Sequence, residues 1–364
     1  MPNLPAFTAF SRRVVWNITR HDIALLRYLH STSPKAAIAH PVTAHGPPPK
    51  VPSPAPEFCE RNERQHVNAG SQVDSNSLPA KPSPLKKRFW KNTDIRQNPG
   101  GNHSVLLDTR PVRTLTKEVL SLPSTKPHLA HLIALEWDVM TSAQQALKNH
   151  MIPLTSLAAR AADIVREDVN GDMATRVQIV NTAMRYLETD TLLCWVPEKN
   201  IHDPGEVNEN GQSPESLRKA QERVAKDIIS FLSTKVWPGI EIKPILDTES
   251  ILPVSQTKAT RDIIEQWVSN LQAHDLAALE RGVLASKSLL VAVRLVSEWS
   301  ENFRYIQRSG LTKFGIEEAV EASSLEVKWQ TDMWGEVEDT HDVDKEDLKR
   351  QLGSVIVLVS GETR

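Results

Sequence analysis

Cysteine is almost missing from this chain. Cys59 and Cys194 are the only two in 364 residues, and they share no CxxC or Cys/His spacing, so a disulfide framework and a zinc site are both disfavoured. A reduced compartment is the simpler setting. No stretch approaches the ~20 apolar residues of a membrane helix, and the best, Ser288 to Val296, is broken by Arg294. Stable membrane insertion is therefore not expected. The glycine signatures are absent as well: no GxxxxGK[ST], GxGxxG or GxSxG occurs, which removes the phosphate-cradling loops and the serine elbow of common enzymes. Excess charge is lacking too, since a net charge of -2 and a pI near 6.6 give no global attraction to nucleic acid or anionic lipid.

Acid is scarce where the chain begins. Residues 1–56 hold one, Asp22, against Arg12, Arg13, Arg20, Arg27, Lys35 and Lys50. Arg13, Arg20 and Arg27 share one helical face while Val14, Ile18, Leu25 and Leu29 share another, so residues 1–33 read as a mitochondrial transit peptide. From residue 34 to 84 the chain is rich in Pro, Ser and Asn, with PPPKVPSPAP at its centre, and reads as a disordered linker.

A folded region is expected to start at Leu85. The turn signal Asn98-Pro99-Gly100-Gly101 and the turn Asp108-Thr109-Arg110-Pro111 divide four short strands over residues 85–126, giving a small antiparallel β domain. Arg110 and Arg113 fit turn and strand-surface positions. Residues 127–364 read as a larger, mainly helical domain. Pro127 opens a helix whose stripe of Leu129, Leu132, Ile133, Trp137, Met140, Ala143 and Leu147 has the 3.6-residue period. Pro153 ends it, and Thr155 or Ser156 can cap the next. The whole is an α+β fold: a small N-terminal antiparallel sheet followed by an orthogonal helical bundle.

Two groups stand out chemically. Glu136-Trp137-Asp138 sets two carboxylates beside the largest side chain; Trp137 on the stripe is a core residue, while Glu136 and Asp138 can give a partner-binding face attraction and register. The second group is Trp334-Gly335-Glu336-Val337-Glu338-Asp339-Thr340-His341-Asp342, with Asp344 beyond. Gly335 can end a helix with a left-handed residue, a buried Trp334 can anchor the loop that follows, and Asp344 suits the positive end of the last helix. Glycine and glutamate fall at the wrong offsets for a calcium loop, so no metal and no cofactor are expected. The alternative is a metal-dependent hydrolase using the acidic cluster at 336–344.

KKRFWKN, LLDTRPVRTLTK, LAHLIALEWD, MIPLTSLAARAADI, YLETDTLLCW and GIEEAVEASSLEVKWQTDMWGEVEDTHDVD occur in that order. Together they resemble the F(1) assembly factor 2 family, mitochondrial assembly chaperones of the ATP synthase catalytic head, over residues 85 to 358. The resemblance implies a non-enzymatic chaperone in the mitochondrial matrix that binds the unassembled alpha subunit and shields it until beta subunits arrive. It adds weight to Glu136, Asp138, Trp334, Glu336, Glu338, His341 and Asp342 as partner-binding residues, with Trp137, Gly335 and Asp344 structural. The chain departs from the family in its long Pro-rich segment and in a segment near 298–313 that looks inserted. Action as a monomer, with no nucleic-acid partner, is expected.

Overall fold

In the computed structural model, residues 86–198, 215–246, 252–307 and 313–362 are described. The leader and linker assigned to 1–33 and 34–84 lie outside them, as do residues 308–312 of the inserted segment.

The sheet is set by its first turn. Gly101 takes φ +84, a conformation that L side chains rarely adopt, and its N–H donates to Asn98 O at 2.8 Å. That reversal pairs β1 (Thr93–Gln97) with β2 (His103–Leu107) in antiparallel register from Thr93 opposite Leu107 to Gln97 opposite His103. β3 (Arg110–Pro111) adds a two-residue edge. The expected fourth strand is reduced to isolated bridges, Arg113 with Val119 and His103 with Leu122. A tight bend with Lys117 at φ +67 and the proline at 123 leave no length for a ladder,.

The helices follow as α1 (Pro127–Asp138), α2 (Pro153–Asn170), α3 (Ala174–Leu187), α4 (Leu217–Phe231), α5 (Lys258–Ser269), α6 (Ala273–Ser286), α7 (Leu289–Trp299), α8 (Ile316–Trp334) and α9 (His341–Val359). This is the expected α+β class. α1 runs along β1 and β2, and α6 sits at the centre, packed by α2, α3, α7 and α9. The close approach of α7 needs Gly282, where a Cβ would lie 3.0 Å from the Ala292 Cβ. Side chains from the sheet (Trp90, Val105, Leu107) and the helices (Ile133, Ile164, Leu276, Leu295, Leu358) join one hydrophobic cluster.

One expected helix is shorter than its stripe. α1 stops at Asp138, followed by 3-10 turns at Ala143–Leu147 and Asn149–Met151. Met140 and Ala143 are buried but Leu147 is 71% exposed. Competing hydrogen bonds explain the stop: the Arg88 guanidinium takes the carbonyls of Asp138 at 2.8 Å and Met140 at 3.5 Å, and Gln145 Oε1 accepts the N–H groups of Thr141 and Ser142. α6 and α7 are separated at Lys287, which is left-handed at φ +56.

Two buried ionic joints fix the bundle. Arg176 clasps Asp168 through two bonds, at 3.1 and 2.6 Å, and gives its remaining nitrogen to the carbonyls of Ser269 and Leu271 at the end of α5. Lys126 pairs with Glu301 at 2.8 Å and also donates to Val359 O and Ser360 O, the carbonyls left over at the end of α9,.

Candidate partner-binding site

The Glu136-Trp137-Asp138 group is a joint between sheet and helices. Its position on α1 turns Glu136 toward the start of α2, where the carboxylate accepts from Leu154 N at 2.7 Å, Thr155 N at 2.9 Å and Thr155 Oγ1 at 2.7 Å. Pro153 has no N–H to offer at the first position, so Glu136 serves the next two donors and caps the helix from outside,. Burial pushes its carboxyl up, against those hydrogen bonds. The expected cap by Thr155 or Ser156 is corrected: Thr155 lies inside α2 and donates both its N–H and its hydroxyl to Glu136 rather than capping the helix.

Trp137 is partly buried, with its indole N–H on Thr155 Oγ1 at 3.1 Å and its ring edge-on to Trp90 at 5.4 Å. Trp90 in turn donates to Trp137 O at 3.1 Å. Asp138 is exposed, 3.8 Å from Arg88. Glu136 thus faces inward, and its two oxygens are occupied. Asp138 stays on the surface, beside the exposed Leu135 and Val139.

The C-terminal group is arranged differently. Ser323 and Ser324 hydroxyls bond back to Ala319 O and Val320 O, and Ser324 departs from helical geometry (φ -123, ψ 17), so α8 bends there,. Beyond the bend α8 leaves the core. Gly335 ends it at φ +92, ψ 157, a region open essentially to glycine alone,. A five-residue connection then returns the chain into α9, whose inner face reaches the core at Leu352.

From Glu326 to Glu346 no residue is buried. Trp334 is 62% exposed and meets Trp329 edge-on at 6.2 Å. The expectation that it anchors the loop from inside is therefore corrected: the bend at Ser324 carries this end of α8 past the core. Val327, Met333, Val337 and Val343 are exposed on the same tip. Eight acids, among them Glu336, Glu338, Asp342 and Asp344, stand there against Lys328 and Lys345. The tip is accordingly apolar and strongly anionic at once.

His341 holds the tip's shape. Its Nδ1 accepts from Val337 N at 3.1 Å while its own backbone N–H donates to Val337 O at 3.2 Å. Asp342 and Asp344 lie in the first turn of α9, where anions face the positive end of the helix. Between α8 and α9 runs an open groove of about 640 Å³, lined in part by Glu317, Glu318, Glu321, Glu336, His341 and Asp344. The glutamates of α8 were not singled out in the sequence, although the spacing of GIEEAVE places them along one side of the helix. Among the described residues no His, Cys, Asp and Glu side chains converge as a group able to hold a metal ion.

The sequence motif Thr189-Asp190-Thr191 has a structural use that its spacing did not announce. Asp190 is fully buried and accepts from Leu192 N and Leu290 N, each at 3.0 Å, with Ser288 and Leu289 also donating. It therefore caps α7 from a distance. Burial pushes its carboxyl up to about 6 against those hydrogen bonds.

The class of protein comes from comparison: a family model described as ATP12 chaperone protein matches residues 87–233. That range carries the sheet and the Glu136 and Asp190 caps; the hairpin of α8 and α9 lies past it. The chain is 31% identical to the Schizosaccharomyces pombe protein atp12, mitochondrial, over 76% of its own length and 83% of that relative. It is 28% identical to Saccharomyces cerevisiae protein ATP12, mitochondrial, over 83% and 93%. Its fold is shared with the crystal structure of Atp12 from Paracoccus denitrificans, at TM-score 0.53 and 22% identity, over 75% of this chain and 97% of that one. The chain belongs to the ATP12 chaperone family.

Proposed function

We propose that this protein is an ATP synthase assembly chaperone of the mitochondrial matrix, which binds the unassembled alpha subunit and keeps it from aggregating until beta subunits join. Membership of the ATP12 family supports the chaperone role, and relatives named as mitochondrial support the organelle. The basic leader supports import, after which a reduced matrix suits a chain with two unpaired-looking cysteines in its sequence.

The observation that carries the reading is the tip of the α8–α9 hairpin. Trp334, Met333, Val337, Val327 and Val343 are all more than a third exposed on a segment with no buried residue. Such a surface gains free energy only when something covers it, at about 25 cal/mol for each Å² of apolar area. The acids around it favour a basic client surface, setting register and speeding encounter. Glu336, Glu338 and Asp342 are placed for that contact, with Trp334 at its apolar centre. His341 positions the loop.

The test uses purified alpha and beta subunits separately. Light scattering of alpha subunit released from denaturant should fall in the presence of stoichiometric full-length protein without ATP or metal, and that of beta subunit should not. Equal protection of both, or of neither, would remove the alpha subunit as the specific client.

A further inference from the structure

The sheet has one long open edge. On one side β3 is only two residues long and leads straight into the bridged segment that follows it, whereas β1 forms the other side along all of Thr93–Gln97. The direction of its free groups follows from the register. Asn98 N–H donates to Asn102 O and Asp108 N–H to Asn92 O, so the even-numbered positions of β1 bond to β2,. Thr93, Ile95 and Gln97 therefore turn their N–H and C=O groups outward, and among the described residues no main-chain partner meets them. Such a row of donors and acceptors is a template for a further strand.

The side chains say which strand fits. Ile95 is half-buried and packs on the core cluster, so Asp94 and Arg96, one residue to either side, point to the opposite face, where both are exposed,. Neither has a hydrogen bond or an ion pair among the described residues. Charges on an edge strand ordinarily keep copies apart, because a lone charge meets its own kind when two edges pair. The order Asp94-Ile95-Arg96 does the reverse: turned antiparallel, it is its own complement.

We propose that β1 is a homodimer interface, in which the β1 edge of a second copy of this chain adds antiparallel about a twofold axis at Ile95, in place of the monomer expected from the sequence. In that register Ile95 pairs with Ile95 of the copy, Thr93 with Gln97 and Asp94 with Arg96. Ile95, Thr93 and Gln97 all belong to the outward-bonding set, so each N–H and C=O left open on the edge finds a partner. Asp94 and Arg96 fall in the intervening pairs, where Cα atoms approach most closely, to about 4.5 Å, on both sides of the axis. Sliding the copy by two residues keeps the bonding set but opposes Asp94 to its own copy, or Arg96 to its own copy, so the charges select the Ile95 register. α1 lies over β1 and β2 alike. With strands about 4.8 Å apart, α1 and its copy would run roughly 10 Å from each other, the distance at which helices pack. The interface is small, and the dimer is accordingly weak and concentration-dependent. It uses no residue of the α8–α9 hairpin and does not depend on which subunit is the client.

The experiment is analytical ultracentrifugation of full-length protein from low micromolar to submillimolar concentration, on the parent, on Asp94→Arg, on Arg96→Asp and on an equimolar mixture of the two variants. The parent should show a reversible equilibrium of monomer and dimer. Each single variant opposes like charges on both sides of the axis and should dimerise at least about tenfold more weakly. In the mixture one reversed strand complements the other, so association should return to within a few-fold of the parent. Both positions are exposed, and melting temperatures should be unchanged,. Amide hydrogen exchange locates the contact: the N–H groups of Thr93, Ile95 and Gln97 should gain protection as concentration rises. A parent that stays monomeric throughout overturns the proposal, as does association that the single reversals do not weaken or that the mixture does not restore. Protection of these amides only when alpha subunit is added would give the edge to the client and overturn it equally.

Discussion

Asp190→Asn separates the two opposed contributions of the buried cap at the start of α7. Asp190 has no exposed surface, and its folded carboxyl sits at about 6 instead of 3.8, because burial outweighs the hydrogen bonds from Ser288, Leu290, Leu192 and Leu289. A carboxyl raised on folding binds more protons in the native than in the unfolded state. Its contribution is therefore fully present below pH 3.8 and is lost as pH rises through 6. The displacement corresponds to roughly 3 kcal/mol at about 1.4 kcal/mol per pH unit. Asparagine does not titrate, but its NH₂ cannot accept, so one of the N–H groups of Leu192 and Leu290 loses its partner, at a cost of ~1–3 kcal/mol. The variant should thus be less stable than the parent at pH 4.5 by a few kcal/mol, and the gap should narrow by roughly 2 kcal/mol by pH 7.5. Urea unfolding of both proteins across pH 4.5 to 7.5 reads this directly. A gap that is constant, or that widens with pH, would refute the reasoning.

Other consequences follow from the same joints. Glu136→Gln keeps the shape of the α2 cap but replaces one accepting oxygen by a donor, and a loss of about 1–2 kcal/mol is expected in chemical denaturation. Trp137→Arg should fail as a fold, because it removes the edge-on contact with Trp90 and the bond to Thr155 and sets a charge against the core cluster; ~3 kcal/mol or more is at stake, and soluble variant with parental circular dichroism and melting would contradict it. Burial and then the Lys126 ammonium hold His274 down at about 4, so its share of stability is complete above pH 6.5 and is lost as pH falls toward 4,; His274→Gln should flatten acid unfolding in that window by about 2 kcal/mol, read from melts at pH 4.5 and 7. Glu338→Lys, on the exposed connection before α9, should change stability by no more than about 0.5 kcal/mol while weakening protection of the alpha subunit, checked by pairing a melt with light scattering.

Local signals carried much of this fold. Prolines at 127 and 153, the Asn98-Pro99-Gly100-Gly101 turn and Gly335 each act on their immediate neighbours, and each marks an element boundary in the structure. What the sequence hid depends on partners far along the chain. The stripe through Leu147 looked continuous because Arg88, about fifty residues away, removes the carbonyls that would have extended the helix. Glu136 caps a helix that begins 17 residues later, and Asp190 one that begins 99 residues later; capping of this kind has no spacing to recognise. Trp334 looked like an anchor since large aromatics are usually covered, and only the bend at Ser324 shows why it stands in solvent. The acids of the tip were legible as a cluster. Their placement around an exposed tryptophan was not.

The claim that the α8–α9 tip receives the client is tested most directly by photocrosslinking. A benzophenone amino acid at Val337, 56% exposed on the tip, is compared with one at Val169, 81% exposed near the end of α2, each in full-length protein mixed with alpha subunit diluted from denaturant. The tip position should yield an adduct with the alpha subunit that is lost when excess unlabelled protein competes, and Val169 should yield little. Crosslinking from Val169 with none from Val337 would place the client elsewhere and contradict the account.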